Sequence, residues 1–342
     1  MKRLLLTVVI FFSLSLTISN TTYAEETSEE SAGGYTIEGI PNSHQIDPDS
    51  GYFDLYEVPG EKDHLKLKIL NQSNQEKEMS IKVTNGNTNS NGLIDYTGEL
   101  KDHPSLKIPL NSILKTADDT VIVKPNSEKE VTLNLTMPEN QFEGIILGGI
   151  QVSDITQSSN SSNTTSINNK YVYTLGVVLK NDPKVETFKN ISIVLENIQS
   201  ELFYGKKVVQ VNLLNENPYI LGKATVQGTI TDEKTKKIVQ EQKNENVSIA
   251  PNSIYPFQFD WKKEEIKPGN YLFRGVVKTK DNKWEFSKKF TITREQAGNM
   301  NKKTVFKIFI PYWVRFCSVF FLVLVLMTSS WIIYRGLRKE VS

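Results

Sequence analysis

Between residues 52 and 292, apolar side chains recur at every second position in short runs that Pro, Gly and Asn clusters interrupt. Leu65, Leu67 and Ile69 alternate with Lys66, Lys68 and Leu70, and Val131, Leu133 and Leu135 repeat the pattern after a Pro-Asn turn. Farther on come Val209, Val211 and Leu213, then Ala224, Val226, Gly228 and Ile230, then Tyr271, Phe273, Gly275 and Val277. Trp284, Phe286, Phe290 and Ile292 close the series. A period of two turns one face of an extended chain inward, whereas a helix needs 3.6. The apolar run with paired glycines in FEGIILGGIQVSD suits a strand buried on both faces, and YVYTLGVVLKND has the same character. The polar stretch SSNSSNTTSINN between them reads as the tip of a hairpin. No long amphipathic helix is evident before residue 305. The expected fold is all-β, two immunoglobulin-like β-sandwiches in tandem, with REQAGNMNKK as a polar linker to the membrane.

Both ends of the chain are apolar in a different way. Lys2 and Arg3 precede LLLTVVIFFSLSL, and TYA precedes Glu25, which predicts a signal peptide over 1–24 cleaved after Ala24. From Phe316 to Ile333 the chain carries no charge and is long enough to cross a bilayer core at about 1.5 Å per residue. A transmembrane helix is expected over 308–334, with Trp313 and Trp331 near its ends and Arg315 reaching toward water. Export of the N-terminal part leaves residues 335–342 as a cytoplasmic tail, too short for an output domain. The expected location is the cell membrane, single-pass, at the cell-wall surface. Cys317, the single cysteine, falls inside this span. The strands therefore have no disulfide, and their stability must come from buried apolar cores.

Charge separates the halves. Residues 25–155 have a net charge of −13 and residues 184–297 one of +5, an asymmetry that suggests two surfaces with different partners.

Chemistry-bearing motifs are sparse. His44, His64 and His103 each stand without the second His or Glu of an HExxH-type spacing, and no GxSxG elbow or Gly-rich phosphate loop occurs. Asp118-Asp119 and Glu264-Glu265 are adjacent pairs in loops, whereas glycoside cleavage needs two carboxylates facing each other across a cleft. NTNSNGLID (87–95) echoes the start of a calcium loop, with Asn87, Asn89 and Asn91 before Gly92. However, Gly98 stands where a bidentate Glu is required, so an Asn-rich turn is the expectation. DPDSG (47–51) reads as a plain turn. Neither cofactor nor metal is expected, no nucleic-acid partner is expected, and the chain reads as a binding protein without catalysis.

GYFDLYEVPGEKDHLKLKILNQS, TNSNGLIDY and FEGIILGGIQVSD resemble the first domain of the WxL-interacting proteins of Gram-positive bacteria. YVYTLGVVLKND, VNLLNENP, IAPNS with FQFDW, and KPGNYLFRGVV with KWEFSKKFTIT resemble the second. The resemblance implies a peptidoglycan-binding module over 35–155 and a host-binding module over 165–297. The family border would split the hairpin, so that strand 171–180 packs with the first module while belonging to the second by family division. The implied partners are peptidoglycan, WxL-domain surface proteins and host extracellular matrix protein, with the membrane held through the C-terminal helix. An alternative left open is an assembly factor that holds exported proteins by strand-edge pairing.

Each module offers candidate contact residues. In YFDLY, Phe53 and Leu55 share an inward face, and Tyr52, Asp54 and Tyr56 share the other, where a sugar could stack. In the second module Lys278, Lys280, Lys283, Lys288 and Lys289 surround Trp284. Trp284 reads first as buried core and second as the apolar anchor of a basic binding face.

Overall fold

The computed structural model describes residues 31–156, 170–306 and 311–340. The expected signal peptide and the Ser/Asn-rich tip of the hairpin lie outside these residues. The first half contains β1 (Tyr35–Ile40), β2 (Phe53–Tyr56), β3 (Lys62–Asn71), β4 (Lys77–Asn85), β5 (Asn87–Thr88) and β6 (Ile94–Asp95). It continues with β7 (Leu114–Thr116), β8 (Thr120–Val123), β9 (Ser127–Thr136), β10 (Ile146–Asp154) and β11 (Val172–Lys180). The second half contains β12 (Val194–Phe203), β13 (Lys206–Asn215), β14 (Leu221–Asp232), β15 (Ile238–Ile249), β16 (Ser253–Asp260), β17 (Gly269–Lys278) and β18 (Lys283–Ile292). Among the described residues the chain is all-β apart from short turns of helix, a helix at Arg294–Lys303 and the terminal apolar helix.

In the first half a four-stranded sheet, ordered β1-β3-β9-β7, faces a five-stranded sheet, ordered β2-β11-β10-β4-β8. Leu65, Leu67 and Ile69 of β3 and Val131, Leu133 and Leu135 of β9 point from one sheet into the same core as Phe53, Leu55, Ile81, Ile150 and Val177 of the other. The alternation legible in the sequence is thus the inward phase of each strand. β10 and β11 form the expected antiparallel hairpin, with Ile146 opposite Leu179 and Ser153 opposite Val172. β11 also pairs in parallel with β2, which ties residues 172–180 to the first half of the chain.

The second half repeats the plan with β12-β13-β16 against β15-β14-β17-β18. Its core joins Val209, Val211 and Leu213 to Tyr255, Phe257 and Phe259 and to Tyr271, Phe273 and Val277. Gly228 and Gly275 are directly paired, and the Phe273 ring lies over both. A Cβ on Gly275 would sit 2.3 Å from that ring, too close for any side chain.

Both halves use the same corner. Asn71 ends β3, is fully buried, and donates to the carbonyls of Gln75, Val123 and Lys124 while accepting from Ser73 N–H. Asn215 ends β13, equally buried, and donates to Tyr219, Ile249 and Ala250 while accepting from Asn217 N–H. Each corner receives a Pro-Asn-Ser turn whose Asn, Asn126 or Asn252, takes a left-handed conformation with φ near +50° and bonds back to the first turn. Asn tolerates that backbone, and its side chain mimics peptide groups.

One expectation is corrected. REQAGNMNKK is not a linker but a helix, Arg294–Lys303, whose Ala297 and Met300 are buried in the second core. Thr293 and Gln296 form a capping box, each side chain bonding the other's backbone N–H, and Asn301 brackets Ile266 by bonding both its N–H and its C=O. The Thr-x-x-Gln signature of that cap is present in the sequence, but a polar ten-residue stretch hides the two apolar residues that dock it. The terminal helix runs from Tyr312 to Glu340, and its Tyr312–Trp331 stretch is long and apolar enough to cross a membrane.

The two halves are joined by packing as well as by sequence. Ile145, Leu147 and Val178 of the first meet Ile220 and Ala250 of the second, with Ile94, Tyr96 and Val185 packed around them. This is why β10 is buried on both faces: Ile146 and Ile150 serve the first core, and Leu147, with Ile145 just ahead of the strand, serves the junction.

Candidate functional site

The outward face of β2 carries the residues singled out in YFDLY. Phe53 and Leu55 are core, as their phase requires. Tyr52 is 43% exposed, whereas Asp54 is only 8% exposed. Lys180, the last residue of β11, places Nζ 2.8 Å from Asp54 Oδ1 and donates to Oδ2 at 3.1 Å, itself 5% exposed. Asp54 is thus occupied by a buried ion pair, and Tyr56 is half-buried beside it.

Tyr52 stands over a glycine pair. Gly149 of β10 and Gly176 of β11 are cross-strand partners. A Cβ on Gly176 would meet Tyr52 Cβ at 3.5 Å, and one on Gly149 would meet Tyr96 at 3.3 Å. Two tyrosines therefore lie across the glycine pair, beside Thr174, on the outer face of the five-stranded sheet. Burial, with the neighbouring Tyr52, pushes the Tyr96 hydroxyl up to about 12, so it stays a neutral donor. On its other side Tyr52 borders a cleft shared with Glu38, Pro41, Gln45, Pro48 and Ser50. Gln45 Nε2 donates to Asp47 O, Ser50 Oγ and Tyr52 O, which holds the loop in shape. Its Oε1 is buried and accepts nothing from the described residues. An exposed aromatic ring at the edge of a polar-lined cleft is a surface on which a sugar ring can stack.

Next to Gln45, three titratable residues converge, of which sequence reasoning singled out only His44. His44 Nδ1 lies 2.7 Å from Glu57 Oε2, and His44 Nε2 lies 3.7 Å from Glu61 Oε1. Glu57 follows β2 on its inward phase and is fully buried. Burial pushes its carboxyl up to about 7 against the opposing pull of His44, whose own pKa is raised chiefly by the hydrogen bond to Glu57. The residues are 13 and 4 apart along the chain, on a loop, a strand end and a turn, so no local spacing reveals them. The other two histidines sit elsewhere: His64 is exposed and bonds Asn134, and His103 bridges to Glu196 of the second half at 3.1 Å.

The basic residues of the second half are divided by the sheet. Lys278 and Lys283 are directly opposite across β17 and β18, and Lys280 lies in the turn between them. Lys283 is paired with Glu285 at 2.5 Å and Lys289 with Glu233 at 2.7 Å. Trp284 is half-buried and packs on the second core, as its alternation with Phe286 predicts. Lys288 shares Trp284's phase, and its Nζ reaches Glu196 O at 2.9 Å. Lys278, Lys283 and Lys289 therefore look outward from the sheet, and Trp284 and Lys288 do not join them. NTNSNGLID is a turn: Asn89 Oδ1 accepts the N–H groups of Asn91 and Leu93, and Gly92 takes φ +75°.

These features define an all-β protein of paired sheets with surface-exposed recognition candidates and an apolar C-terminal helix. A family model described as WxL Interacting Protein, peptidoglycan binding domain, matches residues 35–154. A second, WxL Interacting Protein, host binding domain, matches residues 162–302. The chain belongs to the WxL-interacting proteins. The second match begins before β11, which the sheet pairing ties to β10 and β2. No curated protein matches the chain. Among solved structures, similarity extends to the CupB2 chaperone of Pseudomonas aeruginosa, at 13% identity and TM-score 0.28, covering 69% of this chain and 95% of that one. The DraB chaperone of E. coli is similar at 11% identity and TM-score 0.27, covering 70% and 93%. The CsuC–CsuE chaperone–tip adhesion subunit pre-assembly complex of Acinetobacter baumannii is similar at 11% and 0.30, covering 74% and 97%. Nothing about this chain's function is implied by likenesses at that level.

Proposed function

We propose that the protein is a membrane-anchored cell-surface scaffold that works by binding and catalyses no reaction. The first half engages peptidoglycan, and the second engages WxL-domain surface proteins and host matrix protein. The observation that carries this reading is the order of the two family matches, peptidoglycan-binding and then host-binding, along one chain. The Tyr52 cleft is the surface where a glycan would lie: Tyr52 supplies an exposed ring face, beside the polar residues Glu38, Gln45 and Ser50 that line the cleft. The outward lysines Lys278, Lys283 and Lys289, with Lys280 in the adjoining turn, are the candidate contact surface of the second half. The leader-like N-terminal sequence and the apolar C-terminal helix, the one candidate span among the described residues, support a topology with both halves outside and residues 335–342 inside.

The test is cosedimentation of the full-length protein, in detergent, with purified sacculi. Wild-type protein pellets with the sacculi, and Tyr52→Ala lowers the affinity by roughly ten-fold, the size expected for truncating an aromatic anchor. Failure of the wild type to pellet removes the wall-binding half of the proposal. Release of soluble muropeptides during the incubation removes the claim that nothing is catalysed.

A further inference from the structure

We propose that the tip of the β12–β13 hairpin, with Val305 and Phe306 beside it, is a membrane-contact surface that rests on the anionic headgroup layer of the bilayer holding the apolar helix. The inference rests on the reading of Tyr312–Trp331 as a membrane span. Phe203 and Lys206 are paired across the hairpin, so Tyr204 and Gly205 form a two-residue turn. Both have positive φ, +46° and +75°, the type I′ geometry for which Asn-Gly is the preferred sequence. A bulky side chain is strained in that backbone. Tyr204 is also 82% exposed, and its ring meets only the edge of Phe203's neighbouring ring, at 4.5 Å between centroids. Burial and backbone geometry both argue against a tyrosine at this position. A headgroup layer favours one, because the ring has an apolar body and a polar tip.

The strands place this tip on the membrane side of the second half. β16 begins at Ser253, which bonds Thr88 of the first half, and ends at Asp260, opposite Val208 near the start of β13. The tip therefore lies at the pole of the second half that faces away from the first. The chain leaves by the same pole. Thr304 Oγ1–H and Val305 N–H both donate to Gly205 O, at 2.7 and 3.1 Å, and Val305 stands 2.7 Å from where a Cβ on Gly205 would lie. Val305 and Phe306 are themselves 73% and 41% exposed. Tyr312 comes six residues after Phe306, and a fully extended chain covers at most about 22 Å in that number of steps. The exposed aromatic tip is thus leashed to the edge of the bilayer.

Charge selects the class of lipid. Trp261 N–H bonds Lys207 O beside the tip, which brings Lys262 and Lys263 to this pole, and Lys302 and Lys303 directly precede Thr304. With Lys206, these exposed lysines outnumber Asp260, Glu264 and Glu265. Lys206 Nζ also lies 5.9 Å from the Phe306 ring centroid. Aromatic rings flanked by lysines fit the boundary between acyl chains and anionic headgroups, an attraction that salt screens. Lys278, Lys280 and Lys283 lie at the other pole, at the turn between β17 and β18. Planting the tip on the bilayer turns those lysines away from the membrane.

The experiment uses the full chain in vesicles of phosphatidylcholine with or without phosphatidylglycerol, doped with a lipid whose headgroup-level spin label quenches fluorescence on contact. In a Cys317→Ser background, Glu264→Cys carries a fluorophore near the tip and Asp281→Cys carries one in the β17–β18 turn as a control. The expected result is quenching of the first label and none of the second, stronger with phosphatidylglycerol and weaker at high salt. Tyr204→Asn and Phe306→Ser each bring the Glu264 label down to the level of the control. Asn suits the type I′ turn, so loss of quenching in Tyr204→Asn is not loss of the hairpin, and far-UV circular dichroism verifies the fold. Release of the chain from vesicles by alkaline carbonate would overturn the span itself and the contact with it. An embedded chain whose Glu264 label stays unquenched would overturn the contact alone. Quenching untouched by both substitutions, or equal without phosphatidylglycerol, would overturn it as well.

Discussion

Thr88 Oγ1 accepts the backbone N–H of Ala250 at 2.9 Å, a bond between the two halves of the chain across 162 positions. The same oxygen accepts Ser253 Oγ–H at 3.1 Å, and Ser248 N–H bonds Gly92 O nearby. The Asn-rich turn that echoed a calcium loop is therefore a finger of the first half set against the second. Gly92 is required there twice over, by its φ of +75° and by Val247, which stands 2.9 Å from where its Cβ would be.

Thr88→Val tests this joint with little change of volume. Both Thr88 and Ala250 are buried, so the substitution strands an amide N–H away from water. The expected loss is about 1–3 kcal/mol of unfolding free energy, the cost of an unsatisfied buried donor. Urea denaturation of the full-length protein measures it. Unchanged stability would mean that the Thr88–Ala250 bond adds nothing to the other contacts between the halves.

The Asp54–Lys180 pair makes a sharper prediction. Both groups are buried and at 2.8 Å, so removing one charge leaves the other without compensation. Lys180→Met is expected to cost about 3–5 kcal/mol, and combining it with Asp54→Leu to restore most of that, because a desolvated pair contributes little net stability compared with apolar packing. A double-mutant cycle by chemical denaturation reads the coupling directly. Full additivity of the two changes would show that the ions do not act as a unit.

Much of the fold was legible in the sequence because it is local. The alternation of Leu65, Leu67 and Ile69, or of Tyr271, Phe273 and Val277, is imposed by a sheet with one wet face. What could not be read was fixed by partners far along the chain. Asp54 looks like a surface residue until Lys180, 126 positions away, is placed beside it. Glu57 looks like an ordinary strand-end carboxylate until the loop carrying His44 closes over it. The shared Asn and Pro-Asn-Ser corners are a middle case. Both motifs are visible as turns, but their equivalence appears only when Asn71 and Asn215 are seen bonding matched sets of carbonyls.

Asp154 gives a pH dependence of definite sign. Burial alone would raise its carboxyl, but Lys77 Nζ at 2.5 Å and the Thr156 donors outweigh that effect and hold its pKa below the ordinary Asp value. A folded-state pKa lower than the unfolded one contributes stability that is complete above about pH 4, the unfolded Asp range, and is lost as pH falls through the depressed value. Asp154→Asn removes this dependence. Unfolding free energy measured by urea from neutral to acid pH should fall less steeply below about pH 4 in the variant. Parallel acid limbs for the two proteins would show that the pair contributes nothing there.

The helix Arg294–Lys303 carries the last prediction, because it decides whether the second core ends at the final strand or beyond it. Met300 is 4% exposed among second-core residues, and Thr304 after the helix donates its hydroxyl to Gly205 O at 2.7 Å. If the helix belongs to that core, Met300→Ala opens a cavity and costs about 2–5 kcal/mol. Thr293→Ala, which removes only the N-cap, costs about 1 kcal/mol. A linker between the sheets and the membrane would respond to neither, since its residues would be solvated in the folded and unfolded states alike. Thermal and urea unfolding of the two variants separates the cases: a large Met300 effect beside a small Thr293 effect is the signature of docking through the apolar face. The physical reason is that ten polar-rich residues form a marginal helix on their own. The capping box fixes where the helix starts, while burial of Ala297 and Met300 against the second core holds it there.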